Sequence, residues 1–243
     1  MEASNKPYAA TPETFALLAP RHADAVAAMW AGSLGHTVRC VPTRRTVAVA
    51  VADGWLFGKW RRGHKRDAAA EWRWLHVLPM IGIQTAAPVA WIGDRRRSLL
   101  VTVGLRGRSV DVWAVEAARH GWLPQLVAWA CREVAPVVRR LHDQGLVYRD
   151  LYWNHIMVTD PRLGGEPRFL DVERVLEPRW LWRRWVVKDL AGLWASVPTA
   201  LSDRCGLRFL RSYLGVPLRG HRRSILAIAR KARRIRRHAP RYG

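Results

Sequence analysis

Asp150 and His155 stand five residues apart in Tyr148-Arg149-Asp150-Leu151-Tyr152-Trp153-Asn154-His155, and the apolar run Ile156 to Val158 follows at once. An acid, a second polar ligand and a short strand in that order are the parts of a phosphotransfer catalytic loop. Asp150 can accept the proton of an acceptor hydroxyl, and His155 can hold a metal ion. Asn154 would take the ligand position only if the loop register shifted by one. The alternative reading of Asp150 is a turn residue that caps local amides after a helix.

The elements that must position this loop follow from periodicity. Leu123, Leu126, Val127, Ala130, Val134, Val137, Val138 and Leu141 form an apolar stripe on a predicted helix from Leu123 to Leu141, ended by Gly145. After the loop, Arg168 to Leu170 makes a second short β run and Asp171 stands at its end. Further upstream, His36 to Val41, Arg45 to Val51 and Trp55 to Trp60 read as three antiparallel strands, the last two joined at Asp53-Gly54. A helix over Lys65 to Leu78 and two more strands, Pro88 to Ile92 and Ser98 to Val103, complete an N-terminal lobe of five strands and one helix. Residues 1 to about 34 read as a polar start and a short helix, without chemistry. Gly104 to Arg108 reads as a hinge, so the expected division is 1–103 and 104–243. Helices are expected at about 186 to 197, 201 to 214 and 221 to 237, the last of them basic and amphipathic.

At 243 residues and 49% hydrophobic, the chain can bury a core in each lobe, which excludes extensive disorder. No stretch approaches the eighteen or so apolar residues of a bilayer span, and Glu2 opens no leader, so a cytoplasmic protein is expected. Cys40, Cys131 and Cys205 form no Cys-x-x-Cys pair and read as reduced thiols. A net charge of +22 points to a polyanionic partner, with Arg-rich coding bias as the bland alternative. Fourteen Trp residues beside that charge favour a membrane interface.

Three segments together resemble the lipopolysaccharide core kinases of the Kdo/WaaP type, which phosphorylate Kdo or heptose of the inner core and belong to the protein-kinase-like superfamily. They are Leu141 to His155, then Phe169-Leu170-Asp171-Val172-Glu173-Arg174-Val175, and Arg184-Trp185-Val186-Val187-Lys188-Asp189-Leu190. The resemblance spans about residues 36 to 215. It implies an α+β, two-lobed protein-kinase-like fold and ATP-dependent phosphorylation of a sugar hydroxyl, with Mg2+ as cofactor. By that resemblance Asp150 is the catalytic base, Lys59 in Phe57-Gly58-Lys59-Trp60 contacts the α and β phosphates, and Glu71 holds Lys59 extended. Asp171 would bind Mg2+, as a carboxylate at a rigid strand end suits a hard cation. His155 would join it or orient the loop, since magnesium prefers oxygen ligands. Asp189 would support the loop backbone, and Arg174 would meet a phosphate or a carboxylate.

The chain departs from regulated protein kinases at several places. Val41-Pro42-Thr43-Arg44-Arg45 carries no glycine to drape over phosphates, Tyr148 stands where His is usual, and Asp171-Val172-Glu173 lacks Phe-Gly. These losses favour a small-molecule or glycolipid kinase over a regulated protein kinase; the expected substrate is a lipopolysaccharide core or other anionic glycolipid, and the charge motivates peripheral contact with the inner membrane. The alternatives are an atypical kinase acting on a protein or another small molecule, and a silent pseudokinase or nucleic-acid-binding module built on basic residues 219 to 241. Retention of Lys59, Glu71, Asp150 and Asp171 in order argues against nucleic acid as the partner. The basic last helix either lies on lipid or packs on the C-terminal lobe.

Overall fold

Strands β1 (Glu13–Leu17), β2 (His36–Val41), β3 (Arg44–Val51), β4 (Gly54–Arg62), β5 (Pro88–Gly93) and β6 (Arg97–Val103) pair antiparallel in the order β1-β5-β6-β4-β3-β2. This computed structural model describes residues 13–62, 68–197 and 203–238. The sheet has six strands rather than the expected five. The addition, β1, is a five-residue edge strand that zips onto β5 from Glu13↔Gly93 to Leu17↔Ala90 with an irregularity after Thr14. So short a run has little alternation to betray it, and pairing with β5 defines it.

The chain divides into two compact units, Met1–Arg73 with Ala86–Gly104, and Trp74–Thr85 with Leu105–Gly243. In the first, α1 (Ala23–Ala31) lays Val26 and Met29 on a sheet face made of Val47, Val49, Leu56, Leu99 and Val101. Gly32 closes that helix in the left-handed conformation. Gly58 makes the contact possible, because a Cβ there would sit 2.5 Å from Met29 Cε. Pleat alternation then turns Lys59, the next residue, to the opposite face.

Helix α2 (Ala69–Met80) starts in the first unit and ends in the second. The expected helix began at Lys65, but residues 63–67 lie outside those described. The second unit is mainly helical: α3 (Val110–Arg119), α4 (Leu123–Trp129), α5 (Ala135–Asp143), α6 (Trp182–Ala195), α7 (Asp203–Leu214) and α8 (Arg222–His238). The predicted single helix from Leu123 carries a π turn at Ala130–Val134 between α4 and α5. Pro136 follows it; proline offers no N–H to the carbonyl four residues back and crowds it, and a wider turn relieves both. Gly145, at φ 73°, ends α5 with its N–H on His142 and the N–H of Leu146 on Leu141. That is a Schellman cap, and it launches the chain into the loop at Tyr148.

Beyond the loop, β7 (Arg108–Ser109), β8 (Ile156–Val158) and β9 (Arg168–Phe169) form a small sheet in that order. Two indoles pin it, Trp113 Nε1 donating to the Val158 carbonyl at 3.1 Å and Trp129 Nε1 to the Gly165 carbonyl at 2.8 Å. Those two tryptophans, with Trp74, Trp122, Trp153 and Trp194, are buried, so six of the fourteen serve core packing. Helix α8 packs on α6, burying Ile228 and Ala232, and Arg236 donates to the Trp194 and Ala195 carbonyls. Its apolar side is therefore spent on the protein. No helix among the described residues is long and apolar enough to cross a membrane.

Candidate active site

Helix α6 holds the loop at Tyr148 to Asp150 by one buried side chain. Asp189, 1% exposed, accepts from the backbone N–H groups of Tyr148 at 2.6 Å and Arg149 at 2.7 Å. His142 of α5 reaches the same carboxylate through Nε2 at 3.3 Å, and its Nδ1 lies 2.8 Å from the Tyr213 hydroxyl. A carboxylate only accepts, so His142 donates from Nε2–H to Asp189, while Nδ1 is hydrogen-bonded to the Tyr213 hydroxyl. Burial pushes the Tyr213 phenol well above its usual range, which keeps it a donor. Close approach completes the clamp: a Cβ on Gly192 would stand 2.6 Å from the Leu151 carbonyl oxygen.

Tyr148 fills the place where kinases commonly carry histidine. Its ring is buried, and its hydroxyl donates to the Leu170 carbonyl, tying the loop to the residue before Asp171. Arg149 (φ 73°) and Asp171 (φ 60°) both adopt the left-handed conformation without being glycine. Strain of this kind persists only where the surroundings impose it, and here it brackets the proposed chemistry.

The Asp150 carboxylate is oriented by Arg174, whose Nη1 donates to both oxygens at 2.9 and 2.8 Å. Arg149 stacks its guanidinium over Trp185 of α6, and the Lys188 ammonium lies over the same ring. Burial pulls the Lys188 pKa down, opposed by attraction to Asp150. Positive charge thus collects around the loop acid, as a site for phosphoryl oxygens requires.

His155 and Asp171 share one end of the β8–β9 pair, where Leu170 N–H donates to the His155 carbonyl at 2.8 Å. His155 Nδ1 lies 2.8 Å from the Asp150 carbonyl and must donate to it, which leaves Nε2 with its lone pair when the ring is neutral. Asn154 is exposed. In the first unit, Lys59 Nζ meets Glu71 Oε1 at 2.6 Å, and Arg61 Nη2 meets Glu71 Oε2 at 2.9 Å. Glu71 is 3% exposed, so two cations converge on one buried carboxylate.

The model of the lipopolysaccharide kinase (Kdo/WaaP) family matches residues 59–213, well over half of the chain. The chain belongs to this family. Two Escherichia coli relatives, each named lipopolysaccharide core heptose(I) kinase WaaP, are each 28% identical to it. The strain K12 protein is aligned over 86% of this chain and 90% of its own length, the other over 76% and 80%. A solved structure of WaaP in complex with acyl carrier protein is 26% identical, with a TM-score of 0.73 over 90% of this chain and 98% of the neighbour. The fold is protein-kinase-like and the chain is a lipopolysaccharide core kinase.

Within this Kdo/WaaP kinase, several residues escaped sequence reasoning. Arg61 was discoverable, since it lies two residues from Lys59 on the same strand face. Arg174 is expected on a phosphate or a carboxylate and Asp189 on the loop backbone, and the structure places both there, Arg174 on Asp150; His142 of α5 on Asp189, and Tyr213 of α7 on His142, are the contacts that no spacing announces. Replacing Glu71 by Ala should leave Lys59 and Arg61 without their shared buried carboxylate, at a cost of about 3 kcal/mol. A thermal melt checks this, and an unshifted midpoint would show that the triad contributes little.

Proposed function

We propose that this chain transfers the γ-phosphoryl group of ATP to a heptose hydroxyl of the lipopolysaccharide inner core, with Kdo as the second acceptor to test. The single observation that supports it most is Asp150, fixed through Asp189 and aimed by Arg174, in a chain of this family. Asp150 accepts the hydroxyl proton as the sugar oxygen attacks phosphorus. Arg174, Arg149 and Lys188 meet the charge that spreads over the phosphoryl oxygens. In the first unit, Lys59, held by Glu71, meets the α and β phosphates.

The residues fit a hard cation through the Asp171 carboxylate, while His155 offers a softer nitrogen at Nε2 and through Nδ1 orients the loop. Bound Mg2+ would supply neutralisation of the phosphate charge. Purified protein with ATP and Mg2+ should phosphorylate core-deficient lipopolysaccharide bearing an unmodified heptose, read by mass spectrometry as one added phosphate. Transfer only to a Kdo-terminated acceptor would replace heptose by Kdo in the assignment, and transfer to neither would overturn it. The acceptor class also implies peripheral contact with an anionic membrane.

The neighbour's partner supports a second reading, that this chain binds an acyl carrier protein. The observation behind it is the solved complex of a 26% identical neighbour with acyl carrier protein. Co-elution with acylated, but not unacylated, carrier protein is the expected result.

A further inference from the structure

Six consecutive exposed residues, Arg179-Trp180-Leu181-Trp182-Arg183-Arg184, span the entry and first turn of α6. Trp180 is 81% exposed, Leu181 65% and Trp182 38%, whereas six other tryptophans are buried. Leu181 occupies the N-cap of α6 at φ 57°. A polar residue at that position would cap the helix and a glycine would relieve the backbone, but leucine does neither. The segment therefore buries little, gives the helix no side-chain cap and holds an unfavourable backbone conformation at Leu181, so the fold gains little from its apolar side chains.

Its composition matches one environment. Indole rings settle at the boundary between headgroups and acyl chains, leucine enters just below it, and arginines pair with anionic phosphates above it. Between Arg174 and Lys188 the chain carries five basic residues and a single acid, Glu177. A protein partner for so apolar a tip would more often be met by a groove than by a ring of arginines; the charge selects an anionic surface. We propose that Trp180, Leu181 and Trp182 are the membrane-contacting tip of this chain, inserted at an anionic bilayer interface with Arg179, Arg183 and Arg184 on lipid phosphates. This deepens the proposed lipid-linked acceptor and rests on it for its purpose, though not for its test.

The position of the tip gives it a consequence for the reaction. Trp185, one turn into α6, stacks with Arg149, the neighbour of Asp150, and Lys188 and Asp189 follow on the same helix. Six residues from Trp182 to Lys188 rise about 9 Å. A tip seated among headgroups therefore holds the catalytic carboxylate within about that distance along α6, the height of sugars just outside the lipid phosphates. A bilayer-anchored acceptor would arrive already at the level of its base.

The test uses the intact chain and vesicles of phosphatidylcholine with or without phosphatidylglycerol, in the absence of ATP and acceptor. Wild type should cosediment with the anionic vesicles and weaken as salt rises. Trp180→Ala combined with Trp182→Ala should lower the partition coefficient about tenfold or more while leaving the melting temperature and ATP-dependent phosphorylation of a water-soluble, deacylated core acceptor unchanged. Binding of that variant equal to wild type, or failure of wild type to bind either vesicle, overturns the proposal. If the acceptor assignment itself is wrong, no chain phosphorylates the soluble acceptor, yet the vesicle result still stands by itself.

Discussion

Asp150→Asn should lose phosphate transfer by about two to four orders of magnitude with little change in melting temperature or ATP affinity. Asparagine matches aspartate in size, and its side-chain oxygen can still accept from Arg174 Nη1, so the loop keeps its shape. What it lacks is the capacity to take the acceptor's proton. The loss should fall in kcat, because the interaction removed forms as the hydroxyl is deprotonated rather than when the sugar binds. Single-turnover kinetics with saturating acceptor separate the two. A variant within a few fold of wild type would remove Asp150 as the base and leave orientation by Arg174 as its role.

The second large effect lies out of reach of substrate. Asp189→Ala should destabilise the chain by about 3–5 kcal/mol, because the Tyr148 and Arg149 amides and the His142 Nε2–H all lose an acceptor where water cannot replace it. For a chain of this size that corresponds to a fall of roughly 10 °C in melting temperature. Asp189→Asn should be intermediate, since it keeps one acceptor but turns an NH2 group toward a donor. Activity should fall in both, even at temperatures where they remain folded, because the loop carrying Asp150 loses its anchor. Circular dichroism melts beside kcat decide the matter. An alanine variant melting within about 2 °C of wild type would show that the loop is held by other contacts.

Much of this architecture is legible in the residue order. The strands flanking Asp53-Gly54 and the cap at Gly145 follow from short-range pattern, and the Lys59–Glu71 contact follows from the family resemblance. What stayed hidden has three physical causes. β1 is too short to show alternation and owes its conformation to β5. The π turn depends on how the chain absorbs Pro136, which a helical periodicity with one proline leaves open. The network around Asp189 and Asp150 joins residues from α5, α6, α7 and the segment after Asp171, so it exists only once the second unit is packed. The tryptophans illustrate the same limit: composition suggested an interface, but only burial separates the six in the core from exposed ones such as Trp180 and Trp182 at the start of α6.

Gly192 carries a consequence for the history of the chain. Every single-base change in a glycine codon that replaces the residue by another amino acid adds a Cβ, and here that atom would press on the Leu151 carbonyl at 2.6 Å, one residue from Asp150. Alanine, the mildest of them, would have to push the loop away from α6 to fit. No single amino-acid replacement at 192 fits without moving the loop, so this position should tolerate no substitution on its own. A saturation library scored for phosphate transfer should return glycine alone at 192, unless a second change near Leu151 opens the space first.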